Sequence, residues 1–110
     1  MVYYTLEESD NNWNVFRNQT ISNAKFDFPS PTTRRFDYVK FVYKNCIFDF
    51  KEFITKSTKY WNCCFHKCKI INFKDNLFVE FNMCDFIDCQ FINSEINSKR
   101  TVIGCRILDE

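Results

Sequence analysis

The chain has 110 residues, enough for one domain with a modest core, and 45% of them are apolar, which excludes a disordered polymer. A net charge of +1 gives no global attraction to a polyanion or polycation, and no stretch approaches the ~18 apolar residues of a membrane span. One Gly and two Pro beside 14 Phe argue against a hairpin-rich sandwich or barrel and suit corners that ordinary residues can turn.

Residues 1–13 carry Glu7, Glu8 and Asp10 and lack the basic-then-apolar pattern of a signal peptide. The expected compartment is therefore cytoplasmic, of the producing cell or of a host. With Tyr3, Tyr4, Leu6 and Trp13, this segment reads as an N-terminal cap.

From residue 14 a long period takes over. Ile21, Tyr43, Phe65, Phe86 and Ile107 form one column spaced by 22 or 21 residues. Phe26, Phe48, Ile70 and Phe91 form a second, and Phe16, Tyr38, Tyr60, Phe81 and Val102 a third. A weaker fourth holds Pro31, Phe53, Asp75 and Ile96. Within a turn the large residues step by five, and the last step is six or seven. Small residues stand two before many of them: Cys63, Cys84 and Cys105 in one column, Ala24, Cys46, Cys68 and Cys89 in another.

A steady five fits neither the 3.6-residue helix nor the two-residue strand. It fits a chain that turns a corner every five residues and stacks its turns at the ~4.8 Å spacing of neighbouring strands, giving a rod core about 20 Å long. The expected fold is all-β: a four-sided parallel β-helix of about four coils with one bulged corner over residues 14–107, then a tail at 108–110. Polar residues between the columns, such as Lys25, Lys69, Asp85, Gln90 and Glu95, face water. Asp75 falls on an inward slot, where an unpaired charge is expensive, so the chain is expected to slip there and turn Phe73 or Leu77 inward. The last coil would leave an open edge. Either two copies meet end to end, or the chain is a fragment, or Leu108 folds over the opening.

The units Cys84-Asp85-Phe86-Ile87-Asp88 and Cys89-Gln90-Phe91-Ile92-Asn93 resemble the pentapeptide-repeat family, whose unit is a small residue, Asp or Asn, Leu or Phe, then two variable residues. Cys46-Ile47-Phe48, Lys51-Glu52-Phe53, Cys63-Cys64-Phe65, Cys68-Lys69-Ile70 and Val79-Glu80-Phe81 extend the resemblance. It implies a right-handed coil. The turn here is longer than the four five-residue units of the family's unbroken coil. The family's activities vary: some members mimic a DNA duplex and bind gyrase, others tether partners. No catalytic residue transfers from it.

Cys63, Cys64, His66 and Cys68 suggest zinc by ligand type, but the spacing is poor and the coil reading splits them between inside and outside. No metal or cofactor is expected. Seven cysteines, an odd count, are expected to be free thiols, with Cys64 the exposed one. Asn18-Gln19-Thr20 matches a glycosylation acceptor, which means little without a secretory route. One His, no Gly-rich phosphate loop and no Gly-flanked nucleophile give catalysis no support.

Charge is uneven. Residues 33–76 carry ten bases and four acids, while residues 77–110 carry six acids and three bases. Arg34, Arg35, Lys56, Lys59, Lys99 and Arg100 fall in the bulged corner, where stacking would line them into a basic edge for an anionic partner. The alternative is that outward loops carry Lys and Arg for solubility. A duplex mimic needs an acidic rod, and this balance has the wrong sign. The reading is thus a non-enzymatic scaffold that binds a protein partner or itself, with a homodimer through the C-terminal coil edge as one form. DNA mimicry and nucleic-acid binding along the basic edge are the alternatives.

Overall fold

The computed structural model describes residues 2–3, 13–27, 35–50, 57–75 and 78–109. Among these every regular element is a strand. After β1 (Val2–Tyr3), the first coil holds β2 (Trp13–Arg17), β3 (Thr20–Ser22) and β4 (Ala24–Asp27). The second holds β5 (Arg35–Val39), β6 (Val42–Lys44) and β7 (Ile47–Asp49). The third holds β8 (Ser57–Trp61), β9 (Cys64–His66) and β10 (Lys69–Ile71). The fourth holds β11 (Val79–Asn82), β12 (Asp85–Ile87) and β13 (Gln90–Ile92), and β14 (Val102–Ile103) and β15 (Arg106–Leu108) begin a fifth.

Every third strand pairs in parallel, making three sheets. The first runs β2-β5-β8-β11-β14, the second β3-β6-β9-β12-β15, and the third β1-β4-β7-β10-β13. The chain is therefore a parallel β-solenoid of about four turns. The fourth side is the bulged one: its described residues, 72–75 and 93–101, form turns and no strand. Pro31 and Phe53 of the weak fourth column, and Leu77, lie outside the described residues. So do Tyr4 and Leu6 of the expected cap, while Val2 and Tyr3 pair with Ala24 and Lys25 at the edge of the third sheet.

The corners explain how a chain with one glycine turns so often. Asn18, Lys40, Asn62, Met83 and Gly104 stack at one corner, and Asn23, Asn45, Lys67 and Asp88 at the next, all with φ between 52° and 64°. Asn72 and Asn93 turn the third at 60° and 49°. This left-handed region clashes with most side chains, and Asn tolerates it by local hydrogen bonding. Asparagine thus does the work that glycine does elsewhere. The corner amides also pair between coils: Asn45 donates to Asn23 Oδ1 at 2.7 Å, and Asn93 to Asn72 Oδ1 at 2.7 Å.

Pairing in register brings the columns together as the periodicity predicts. Phe48, Ile70 and Phe91 are direct cross-strand partners. Phe26 stacks on Phe48 with ring centroids 4.7 Å apart, Tyr43 on Phe65 at 4.9 Å, and Phe65 on Phe86 at 4.9 Å. Tyr38, Tyr60 and Phe81 form a third stack at 5.2 and 5.1 Å. Adjacent stacks meet edge to face, as in Tyr43–Phe48 at 4.8 Å and Phe65–Phe81 at 5.5 Å. Both geometries suit the ring quadrupole. Burial holds the Tyr43 and Tyr60 phenols well above their usual range, so both stay neutral.

The slot two residues before each ring is more varied than expected. Cys46, Cys63, Cys68 and Cys84 fill it as small buried thiols, each with Sγ near two carbonyl oxygens; Cys68 Sγ lies 3.4 Å from Tyr43 O and 3.5 Å from His66 O. Yet Phe41 and Phe36 occupy the same slot and are fully buried, so the interior accepts a ring there. On the bulged side Phe50 and Phe73 both turn inward and meet edge to face at 6.0 Å. Phe73 thereby relieves Asp75, which leaves the core. Leu108 does not fold over the opening but lies in β15, opposite Ile87.

Replacing a stacked ring tests this core. Phe65→Ala is expected to cost about 3–5 kcal/mol in urea denaturation, and Cys64→Ala, its outward neighbour, less than about 1 kcal/mol.

Candidate functional site

Because each side chain repeats its neighbour's direction one coil on, outward residues also form columns. On the first sheet one outward column reads Val15, Asp37, Lys59, Glu80, and the next reads Arg17, Val39, Trp61, Asn82, Ile103. The basic residues of the sequence can be placed against this register. Arg34 and Lys56 lie outside the described residues. Arg35 forks onto Asp37 through Nε at 2.8 Å and Nη2 at 2.9 Å. That pairing raises the Arg35 guanidinium above its usual pKa. Lys59 stands between Asp37 and Glu80 in register and pairs with Glu80 at 3.2 Å. Arg100 pairs with Asp75 at 2.7 Å, and Lys99 is exposed beside it.

Arg35, Lys59 and Arg100 are therefore each set against an acid, while Lys99 is exposed with no charged partner among the described residues. Other exposed lysines without a charged partner among the described residues lie elsewhere. Lys44 is on the outer face of the second sheet. Lys67 and Lys69 border an open depression of about 490 Å3 that Asp88 also lines.

Asp75 is the centre of a polar clamp on the bulged side. It accepts from Ser98 Oγ, from Arg100 at 2.7 and 3.2 Å, and from Thr101 Oγ1 at 3.3 Å. The clamp ties the third coil to the fourth across 23 to 26 residues of sequence. Ser98 first and Arg100 second hold the Asp75 carboxyl below its ordinary pKa, and Arg106 does the same for Asp85. Sequence reasoning saw Asp75 as an interruption and missed the clamp. The only available signal was the Ser98-x-Arg100-Thr101 run 23 residues on.

Cys63 and Cys68 point into the core while Cys64 and His66 lie on the outer face of β9. The zinc-like cluster is thus divided by the sheet, and no group of three metal-ligating side chains converges among the described residues. All seven cysteines are free thiols, and Cys64 is half-buried, as are Cys89 and Cys105. Two thiol ladders, Cys46-Cys68-Cys89 and Cys63-Cys84-Cys105, run along the interior. Their central members, Cys68 and Cys84, are flanked by thiols on both sides and desolvated, and their pKa values are pushed well up. Donation from Cys84 brings Cys105, at the open end, down to about 7.

Four of the seven exposed large hydrophobic residues described, Ile92, Ile103, Ile107 and Leu108, lie at the last coil. Ile107 belongs to the inward column, in register with Phe86, yet is 54% exposed. Phe91, Ile96, Val102 and Cys105 line the same opening and pack only partly against the core. Around the rim Ile92, Ile103 and Leu108 face outward and are exposed. β13, β14 and β15 each pair on one side only. At the first corner Met83 overhangs Gly104, where a Cβ would collide with its sulfur.

Comparison of the chain with family models, curated proteins and solved structures finds no match. Among the described residues no helix is long and apolar enough to cross a membrane.

The clamp has a pH signature. A carboxyl whose folded pKa lies below its unfolded value of about 3.9 contributes stability above that value and loses it as pH falls through the folded pKa. Between pH 5 and pH 2, stability is expected to fall, and Asp75→Asn is expected to flatten part of that fall when urea midpoints are measured at each pH.

Proposed function

We propose that the chain is a pentapeptide-repeat-type solenoid acting as a non-enzymatic interaction module, cytoplasmic in setting, and that its open coil end is the contact surface, met by a second copy of itself. The observation that carries this reading is Ile107. It stands in the aromatic-aliphatic column that is closed over everywhere else in the second sheet, and over half of its surface is exposed.

Two physical arguments support a second copy. A two-fold contact presents the same patch twice, so Phe91, Ile96, Val102 and Ile107 would meet aliphatic and aromatic partners of their own kind. Three parallel edge strands with unpaired backbone groups are a standing template for further pairing, which a stacked coil end satisfies. Fold alone assigns no activity, so the reading rests on this surface and not on the solenoid.

Sedimentation equilibrium at high micromolar protein tests it. The expected mass is that of two 13.4 kDa chains. Ile107→Asp, at an exposed position, is expected to give a folded monomer. A monomeric wild-type protein, or a dimer unchanged by Ile107→Asp, overturns the proposal.

A further inference from the structure

The outer face of the first sheet holds a feature that neither the core nor the open end requires. Asp37 points away from the core, yet is only 4% exposed. Its carboxylate is taken on one side by the Arg35 fork at 2.8 and 2.9 Å and on the other by the indole N–H of Trp61 at 3.1 Å. Trp61 lies 24 residues from Asp37 and one coil above it. An indole held by its N–H has lost most of its rotamer freedom before any partner arrives. Pre-organisation of this kind lowers the cost of binding, and Trp and Arg are the residues that most often dominate interface energies.

Trp61 forms one wall of a shallow cleft of about 380 Å3 lined also by Val15, Arg17, Val39 and Asn62. Val15 is 39% exposed. Arg17 is exposed and, among the described residues, has no acidic partner. Asp37 is already neutralised by Arg35, so the charge the cleft offers a visitor is that of the Arg17 guanidinium, whose planar fork matches a carboxylate.

We propose that this cleft is a second docking surface, distinct from the open coil end, that takes a peptide segment of another protein carrying an apolar side chain next to an acidic one. The apolar group packs between Val15, Val39 and the Trp61 ring, and the carboxylate meets Arg17. A single-stranded nucleic acid fits less well. It needs successive aromatic platforms, and this face offers one indole between aliphatic walls.

The test is panning of a random dodecapeptide phage library on the intact protein, followed by anisotropy titration of the strongest selected peptide, labelled with fluorescein. The expected consensus places Asp or Glu within two positions of Leu, Ile, Phe or Val. Affinity is expected to fall about tenfold or more with Trp61→Ala and with Arg17→Glu, and to be unchanged with Lys99→Ala on the bulged side. Arg17→Glu alters only an exposed side chain, so it reports on the cleft even if Trp61→Ala unfolds. Ile107→Asp is expected to leave the affinity intact, which separates this surface from the end contact. No enriched sequence, a consensus without acids, or an affinity insensitive to Arg17→Glu overturns the proposal. Tighter binding of fluorescein-labelled oligo-dT, lost with Trp61→Ala, overturns it in favour of nucleic acid.

Discussion

Parallel strands paired in register place like residues directly above one another, and in this chain that single constraint propagates through everything else. A side chain is given the environment of its counterpart one turn earlier, so an inward slot that suits a flat ring suits a ring again. The stacked rings keep centroid separations of 4.7 to 5.7 Å and interplanar angles of 7° to 22°. Those separations track the spacing of the strands themselves. Backbone pairing and ring stacking therefore reinforce one another, and neither has to be strained to satisfy the other. The same logic fixes the corners, where a left-handed residue in one coil sits beneath a left-handed residue in the next.

This coupling is also why so much of the fold could be read from the sequence. A column is visible when the same physical demand recurs at a fixed interval, as for Tyr43, Phe65 and Phe86 or for Cys46, Cys68 and Cys89. The bulged side has no such demand. Phe50 follows Phe48 by two residues, whereas Phe73 follows Ile70 by three, so the two rings meet in space without sharing a period. Phe36 and Phe41 escaped notice for a different reason: they hold slots that seemed to need small side chains, and neighbouring small residues such as Cys63 and Thr58 make room for them. Mixed ring and thiol occupancy averages out over two coils, which no single position reveals.

The outer surface was less legible because solvent imposes no size or shape. Sequence counting found a basic middle, but register decides which charges meet. Lys59 stands between Asp37 and Glu80, and Arg35 closes on an acid two residues away along its own strand. The Asp37–Trp61 link runs diagonally between adjacent coils and leaves no periodic trace. Function follows the same division. The repetitive interior explains stability and stiffness. The proposed recognition rests instead on the non-repetitive features: the exposed aliphatic side chains of the last coil and the Trp61 indole that Asp37 holds beside Arg17.

The stacking itself is most directly tested by nuclear Overhauser spectroscopy on protein with isotope-labelled aromatic rings. Contacts between Tyr43 and Phe65 rings, and between Phe65 and Phe86 rings, are expected at separations of 22 and 21 residues along the chain. Ring contacts confined to sequence neighbours, with none linking one turn to the next, would contradict the account.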